Sequence, residues 1–93
     1  MDWMLQNYPN PFNSKTVIRF HNRSENMRIR IQIFDCLGKE VRRLSDRPYG
    51  AGIHEVIWDR KEDHGKEVSG GVYFCRISTE GGLKKTVKMA LVK

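Results

Sequence analysis

The sequence predicts an all-β fold, an antiparallel sandwich or barrel of six to seven strands. Apolar and polar residues alternate with a period of two along most of the chain, which is typical of half-buried strands. Glycine, proline, asparagine and aspartate separate these segments at short intervals. No window combines a helical period of about 3.6 residues with caps at both ends, so no helix is predicted. A chain of 93 residues fits one domain.

The segment from Met27 to Asp35 carries the clearest strand signal. Ile29, Ile31 and Ile33 alternate with arginine and glutamine, which predicts one buried face and one basic face. The other predicted strands are residues 16–20, 41–45, 53–59, 72–79 and 83–92. The stretches between them, at 36–40, 47–52, 60–71 and 80–82, contain glycine and polar residues and are predicted to be turns and loops.

The same alternation predicts the core. The residues expected to face inward are Ile29, Ile31, Ile33, Val56, Trp58, Tyr73, Ile77, Val87 and Met89. Trp58 is expected to be buried, because an alternating tryptophan in a small sandwich usually fills the space between the sheets. Cys36 falls in a turn and Cys75 in the middle of a strand, so both are predicted to be free. A disulfide would need their Cα atoms within about 7 Å.

The chain begins with an unusual segment, "QNYPNPFNSKT", at residues 6–16. Pro9 and Pro11 fix φ near about −65° and keep the preceding residues out of the helical region. The asparagine side chains can bond the local backbone. The segment is therefore predicted to be a stiff, extended lead-in to the first strand, with Tyr8 and Phe12 held against the end of the sandwich. Residues 1–5 are predicted to be the end of a linker, and residues 6–93 a single domain.

The charge is strongly basic, with 17 lysines and arginines against 11 acidic residues and a net charge of +6. Such a charge makes nucleic acid, lipid headgroups and acidic polysaccharide candidate partners, although an ordinary solvated basic surface is the favoured explanation. No nucleic-acid partner is predicted, because the aromatic residues do not interleave with a basic patch. No apolar run reaches the roughly 18 residues that cross a bilayer, so membrane insertion is not predicted. The first residues lack a secretory signal, which an exported protein would carry elsewhere in a longer chain.

Residues that could perform catalysis or bind a metal are scattered. His21, His54 and His64 share no metal-ligand spacing, and no serine, threonine or cysteine lies in a nucleophile motif. Asp59 and Asp63 in "WDRKEDHG" do not match the spacing of a calcium loop. We predict no catalytic residue, no metal site and no cofactor, and therefore no enzymatic activity.

Five segments occur in a fixed order along the chain: "LQNYPNPFNSKTVIRF", "IQIFDCLGKEVRRL", "GAGIHEVIWD", "GKEVSGGVYFCRIST" and "KKTVKMALVK". Together they resemble the type A C-terminal sorting domain of the type IX secretion system, which is related to the immunoglobulin-like domain of the flagellar hook-capping protein. The resemblance covers the chain from Leu5 to Lys93. It implies an immunoglobulin-like antiparallel β-sandwich.

The resemblance implies a non-catalytic sorting signal at the C-terminus of a larger exported protein. Such a parent protein passes through the periplasm and an outer-membrane translocon, and it ends at the cell surface or outside the cell. In many members a sortase-like peptidase removes the domain and attaches the cargo to the surface. The implied partners are therefore the secretion translocon, that peptidase and an upstream cargo domain in the same chain.

The resemblance also assigns site residues. The opening motif is matched by Asn7, Pro9, Asn10, Pro11, Phe12 and Asn13, a Gly-x-Tyr block by Gly71, Tyr73 and Ile77, and a basic terminal segment by Lys84, Lys85, Lys88 and Lys93. The terminal strand is expected at or near a sheet edge, where the lysines would line up a positive surface for an acidic receptor. Arg60 stands where the family usually has glycine, and a turn of different local geometry is expected there.

Two other functions fit the same sequence. The domain could be an immunoglobulin-like accessory module of an extracellular polysaccharide-degrading enzyme, acting as a spacer or a weak carbohydrate binder. That function calls for an exposed aromatic platform, whereas the aromatic residues here mostly alternate into the predicted core. A hook-cap-like assembly domain is the third candidate, and such a domain would normally lie inside a longer chain.

Overall fold

The computed structural model describes residues 5–92. These residues form seven strands joined by turns and loops, with no helix among them. The strands are β1 (Gln6–Tyr8), β2 (Thr16–Asn22), β3 (Met27–Asp35), β4 (Glu40–Tyr49), β5 (Gly52–Trp58), β6 (Gly71–Thr79) and β7 (Lys84–Leu91). Residues 1–4 of the predicted linker lie outside the described residues, as does Lys93. Among the described residues there is accordingly no helix of the length and apolarity that would span a membrane.

The strands form two antiparallel sheets, in the orders β1-β2-β5 and β4-β3-β6-β7. In the smaller sheet β2 pairs with β5 over its whole length, from Thr16 opposite Trp58 to Asn22 opposite Gly52. In the larger sheet β3 lies between β4 and β6, and β7 forms the edge beside β6. The predicted all-β, immunoglobulin-like antiparallel sandwich of six to seven strands is confirmed.

The core lies where the alternation places it. Its buried apolar side chains are Phe12, Ile18, Phe20, Ile29, Ile31, Ile33, Tyr49, Trp58, Tyr73, Cys75, Ile77, Met89 and Leu91. Every residue predicted to face inward belongs to this cluster except Val56 and Val87, which pack against it while partly exposed. The ring centroid of Trp58 lies 5.6 Å from that of Phe12 and 5.3 Å from that of Tyr73. The Trp58 Nε1–H donates a hydrogen bond to the Lys61 carbonyl at 3.0 Å. The predicted core role of Trp58 is confirmed.

The prediction of a loop over residues 47–52 is wrong for its first half, because β4 continues through Pro48 to Tyr49. Proline is tolerated there since β4 is an edge strand. Tyr49 is buried and packs edge-on against Phe20, with ring centroids 5.2 Å apart. The pairing of β3 with β4 shifts register between Ile31 and Gln32. This irregularity interrupts the alternation of β4 and hides its second half from a period-two pattern.

Both cysteines are free, as predicted. Cys36 is exposed in the turn after β3, and Cys75 is fully buried in β6. Burial raises the pKa of the Cys75 thiol to about 12, so the thiol stays protonated near neutral pH. Cys75 therefore serves as a small apolar core residue rather than as a nucleophile.

Candidate functional site

The opening segment is part of the sandwich, because its first residues form β1. Gln6, Asn7 and Tyr8 pair with β2 in antiparallel register. The Thr16 hydroxyl donates a hydrogen bond to the Pro9 carbonyl at 2.9 Å, which fastens the segment to the start of β2. The segment is therefore more than an extended lead-in, and β1 supplies the seventh strand.

Tyr8 and Phe12 of this segment have different environments. Tyr8 remains 44% exposed, and its hydroxyl donates a hydrogen bond to Glu55 at 2.8 Å on β5. This bond raises the pKa of Tyr8 above its usual value. Phe12 is only 2% exposed and contacts Trp58 inside the core. Phe12 is therefore the side chain that anchors the segment to the sandwich.

Asn10 joins the opening segment to the last strand. Its side-chain nitrogen Nδ2 donates a hydrogen bond to the Lys88 carbonyl at 3.1 Å. Its side-chain oxygen Oδ1 accepts a hydrogen bond from the backbone N–H of Ala90 at 3.0 Å. One amide group thus satisfies both a donor and an acceptor on the edge of β7, as a neighbouring strand would.

Phe12 extends this contact through its backbone. Its N–H donates to the Ala90 carbonyl at 2.9 Å, and its carbonyl accepts from the N–H of Val92 at 2.8 Å. Phe12 and Leu91 accordingly form a parallel bridge. We call the contacts of Asn10 and Phe12 with residues 88–92 the clasp. The clasp covers the C-terminal half of the β7 edge.

Arg60 also holds the opening segment in place, through a hydrogen bond to Asn13. The expectation of a turn with different local geometry at Arg60 is wrong. Its φ is +59°, the left-handed conformation that glycine adopts without strain. This conformation costs an arginine on the order of 1–2 kcal/mol. The guanidinium offsets the cost by donating to the Asn13 carbonyl at 3.1 Å and the Val68 carbonyl at 3.0 Å. Arg60 therefore connects the opening motif to the loop before β6, a contact that the sequence reading missed.

The Gly-x-Tyr block lies mostly beneath the surface. Gly71 begins β6 with φ +153° and pairs with Leu91. Tyr73 is buried against Trp58, and its hydroxyl donates to the Ser69 carbonyl at 2.7 Å. Ile77 is 1% exposed. Tyr73 and Ile77 belong to the hydrophobic core and offer little surface to a partner.

The four lysines of the terminal segment do not share one face. Side chains alternate between the two faces of β7, and Met89 and Leu91 point inward. Lys84 and Lys88 therefore lie on the outward face, whereas Lys85 lies on the same face as Met89 and Leu91. Lys85 pairs with the buried Ile77, although its own side chain is exposed at the end of the strand. Lys93 lies outside the described residues. Lys84 and Lys88 are thus the pair that the structure brings to one surface.

The outer face of the larger sheet has an uneven charge distribution. On its β4 side, Asp46 forms ion pairs with Arg28 at 3.0 Å and with Arg30 at 3.4 Å. On its β6–β7 side, Arg76, Lys84 and Lys88 form no ion pair with any residue between 5 and 92. The Arg76 guanidinium instead lies 4.5 Å from the centre of the Phe34 ring. We call Arg76, Lys84 and Lys88 the basic triad.

The described residues offer little for catalysis. Within residues 5–92 no group of three or more histidine, cysteine or acidic side chains could hold a metal ion. One cavity of about 390 Å³ is an open groove along the start of β4, lined by residues such as Lys39, Glu62 and His64. Most of the large aromatic side chains are buried, which disfavours the carbohydrate-binding alternative. The fold and its surface define a small immunoglobulin-like module whose distinctive features are a clasped terminal strand and a basic edge.

The chain belongs to a known family of such modules. The family model described as "Secretion system C-terminal sorting domain" matches residues 6–93. The chain is therefore a C-terminal sorting signal of the type IX secretion system, and the expectation drawn from the five segments is confirmed. Domains of this family are non-catalytic, and the cargo that carries them is exported to the cell surface or the extracellular space.

Solved structures of other proteins share the fold. Dimeric latent PorU from Porphyromonas gingivalis matches with a TM-score of 0.74 and 20% identity over 95% of this chain. PorZ, an essential surface component of the type IX secretion system of the same organism, matches with a TM-score of 0.63 and 18% identity over 97% of this chain. This chain spans only 9% and 12% of the length of those two proteins. No curated protein sequence matches it.

Proposed function

We propose that the secretion machinery recognises the clasp and the adjoining outward face of β7 as a single surface. The observation that carries this proposal is the amide of Asn10, which bonds both the Lys88 carbonyl and the Ala90 N–H. The opening motif and the basic terminal segment, the two ends of the family pattern, thereby become neighbours. Lys84 and Lys88 supply the positive part of the surface, and an acidic receptor would be steered toward it.

A surface of this kind exists only in the folded domain. Asn10 and Lys88 are 78 residues apart in sequence and meet only when both sheets have formed. A receptor that contacts both would therefore bind the folded sandwich and ignore an unfolded or truncated one. This dependence would couple export to completed folding, which suits a signal carried at the end of its cargo.

Family membership supports the remaining partners of this proposal. In this proposal the cargo domain precedes residue 6, with residues 1–5 as the end of the connecting linker. The parent protein crosses the periplasm and passes the outer-membrane translocon, and a sortase-like peptidase then acts on the linker. β1 begins at Gln6, immediately after that linker, so the cleavable segment would join the sandwich beside the clasp.

A reporter fusion tests the proposal. The whole chain is attached to the C-terminus of a periplasmic reporter, in a host that has a type IX secretion system, and reporter at the cell surface and in the medium is measured. The unchanged domain is expected to export the reporter. Asn10→Ala removes both bonds of the clasp amide and is expected to reduce export about tenfold, equivalent to about 1.4 kcal/mol of lost recognition.

The matched control is Gln6→Ala, which removes an exposed amide from β1 and is expected to leave export unchanged. The melting temperature of each purified domain verifies folding, since the loss of exposed hydrogen bonds costs only about 1 kcal/mol. Normal export of the folded Asn10→Ala fusion would show that the clasp is not recognised. Equal loss in both variants would show that the effect is not specific to Asn10.

A further inference from the structure

The clasp leaves the N-terminal half of the β7 edge open. In an antiparallel strand the N–H and C=O of one residue point to the same side, and the side alternates along the chain. Ala90 directs both groups at the clasp. β6 and β7 pair without a register shift, so Thr86 and Lys84 direct theirs at the same edge. Within residues 5–92 nothing bonds these groups of Thr86 and Lys84.

The other edge of the larger sheet is protected differently. On β4 the N–H of Arg43 donates to the carboxylate of Asp63 at 3.0 Å, and the N–H of Asp63 donates to the Val41 carbonyl at 3.1 Å. A connecting loop therefore covers that edge in part. The N–H and C=O groups of Lys84 and Thr86, together with the N–H of Lys88, thus form an open row in the spacing of a strand, which is a template for another strand.

The basic triad surrounds this open edge. Thr86 lies between Lys84 and Lys88 on the outward face of β7, and Arg76 lies directly opposite it on β6. The acidic residues of this sheet face, Glu40 and Asp46, lie on β4 and are paired with arginines. A strand added beside β7 would therefore place every second side chain next to an unopposed cation.

We propose that an extended acidic segment of a partner protein pairs with the open edge of β7 as an eighth strand. Its backbone would bond the N–H and C=O groups of Lys84 and Thr86 and the N–H of Lys88, and acidic residues at alternate positions would face the basic triad. A second copy of this chain is a poor occupant, because two β7 edges would bring their lysines together. The inference rests on the proposed function, in which this edge belongs to the recognised surface, and it adds the chemistry of the partner.

Peptide binding tests the proposal. The probe is a capped peptide of about seven residues, the length of a typical strand. It has glutamate at positions 1, 3, 5 and 7 and threonine between them. The control is the same peptide with alternate amides N-methylated, which keeps the charge and blocks strand pairing. Binding to the isotope-labelled domain is followed by amide chemical shifts. Only the unmethylated peptide is expected to bind, with shifts concentrated at Lys84–Lys88.

Variants separate backbone pairing from charge. Thr86→Pro removes the outward N–H without changing charge, and proline is tolerated where an edge N–H faces solvent. It is expected to weaken binding about tenfold or more. Lys84→Gln combined with Lys88→Gln should have a similar effect. Thr86→Val keeps the N–H and should bind as the unchanged domain does.

Three results of the binding experiments would overturn the inference. Equal binding of the methylated peptide, or unchanged binding to Thr86→Pro, would mean that charge alone attracts the peptide. No shift change at millimolar peptide would mean that the edge is merely solvated. The methylated control decides the question even where Thr86→Pro does not fold. The export assay separates the two proposals. Loss of export with Asn10→Ala, but not with folded Thr86→Pro, would leave the proposed function intact and refute strand addition. Peptide binding without any export defect in Asn10→Ala would refute the proposed function alone.

Discussion

Replacing Trp58 by alanine is expected to lower the free energy of unfolding by about 3–5 kcal/mol, the range typical of a buried aromatic. The side chain is fully buried between the rings of Phe12 and Tyr73. Its removal leaves a cavity where the two sheets meet the opening segment, and it also removes the donor to the Lys61 carbonyl. The measurement is the denaturant midpoint and slope, compared with those of the unchanged domain.

Ile57→Ala is the matched control for this substitution. Ile57 is the neighbour of Trp58 on β5 but points outward, with 56% of its surface exposed. Its truncation is expected to change stability by no more than about 0.5–1 kcal/mol. If Trp58→Ala were as mild as Ile57→Ala, then Trp58 would not hold the sheets together and the described core would be incorrect.

Phe12→Ala is expected to have the second-largest effect, a loss of about 3 kcal/mol. Phe12 is the buried anchor of the clasp, and its backbone bonds both Ala90 and Val92. Without the ring, the opening segment can leave β7 while the remainder of the sandwich stays folded, which is a local opening. The thermal midpoint should therefore fall, and Val92 should lose its protection against amide hydrogen exchange.

Tyr8→Ala is the corresponding control, because Tyr8 is the other aromatic residue of the opening segment. Its side chain is 44% exposed and bonds only Glu55 through its hydroxyl. An exposed pair of this kind contributes about 1 kcal/mol at most. Equal destabilisation by Tyr8→Ala and Phe12→Ala would contradict the role of Phe12 as the specific anchor.

The strands with a regular period of two could be predicted from the sequence. β3, β6 and β7 are long, pair without interruption with a neighbour, and show their buried faces directly in the alternation. β4 resisted prediction beyond residue 45, because its register shifts against β3 and because Pro48 suggested a loop. Edge strands tolerate both features, and edge position is a property of the fold rather than of the local sequence.

The site was only partly predictable, for a similar reason. The stiffness of the opening segment follows from its prolines, but its bond to β7 joins residues 78 apart and leaves no periodic signal. The sequence does indicate that Lys85 lies on the inward face of β7, because it alternates in step with the inward residues Val87 and Met89. Arg60 was recognisable as a departure from glycine, yet its two carbonyl contacts depend on the folded loop.

Native-state amide hydrogen exchange along β7 shows directly whether the opening motif clasps one half of the terminal strand and leaves the other half open. The N–H groups of Ala90 and Val92, which donate to Asn10 and Phe12, are expected to be strongly protected. The N–H groups of Thr86 and Lys88, which face the open edge, are expected to exchange rapidly. Exchange of Ala90 and Val92 as fast as that of Thr86 would show that the terminal strand is unclasped along its whole length, and the clasp would be refuted.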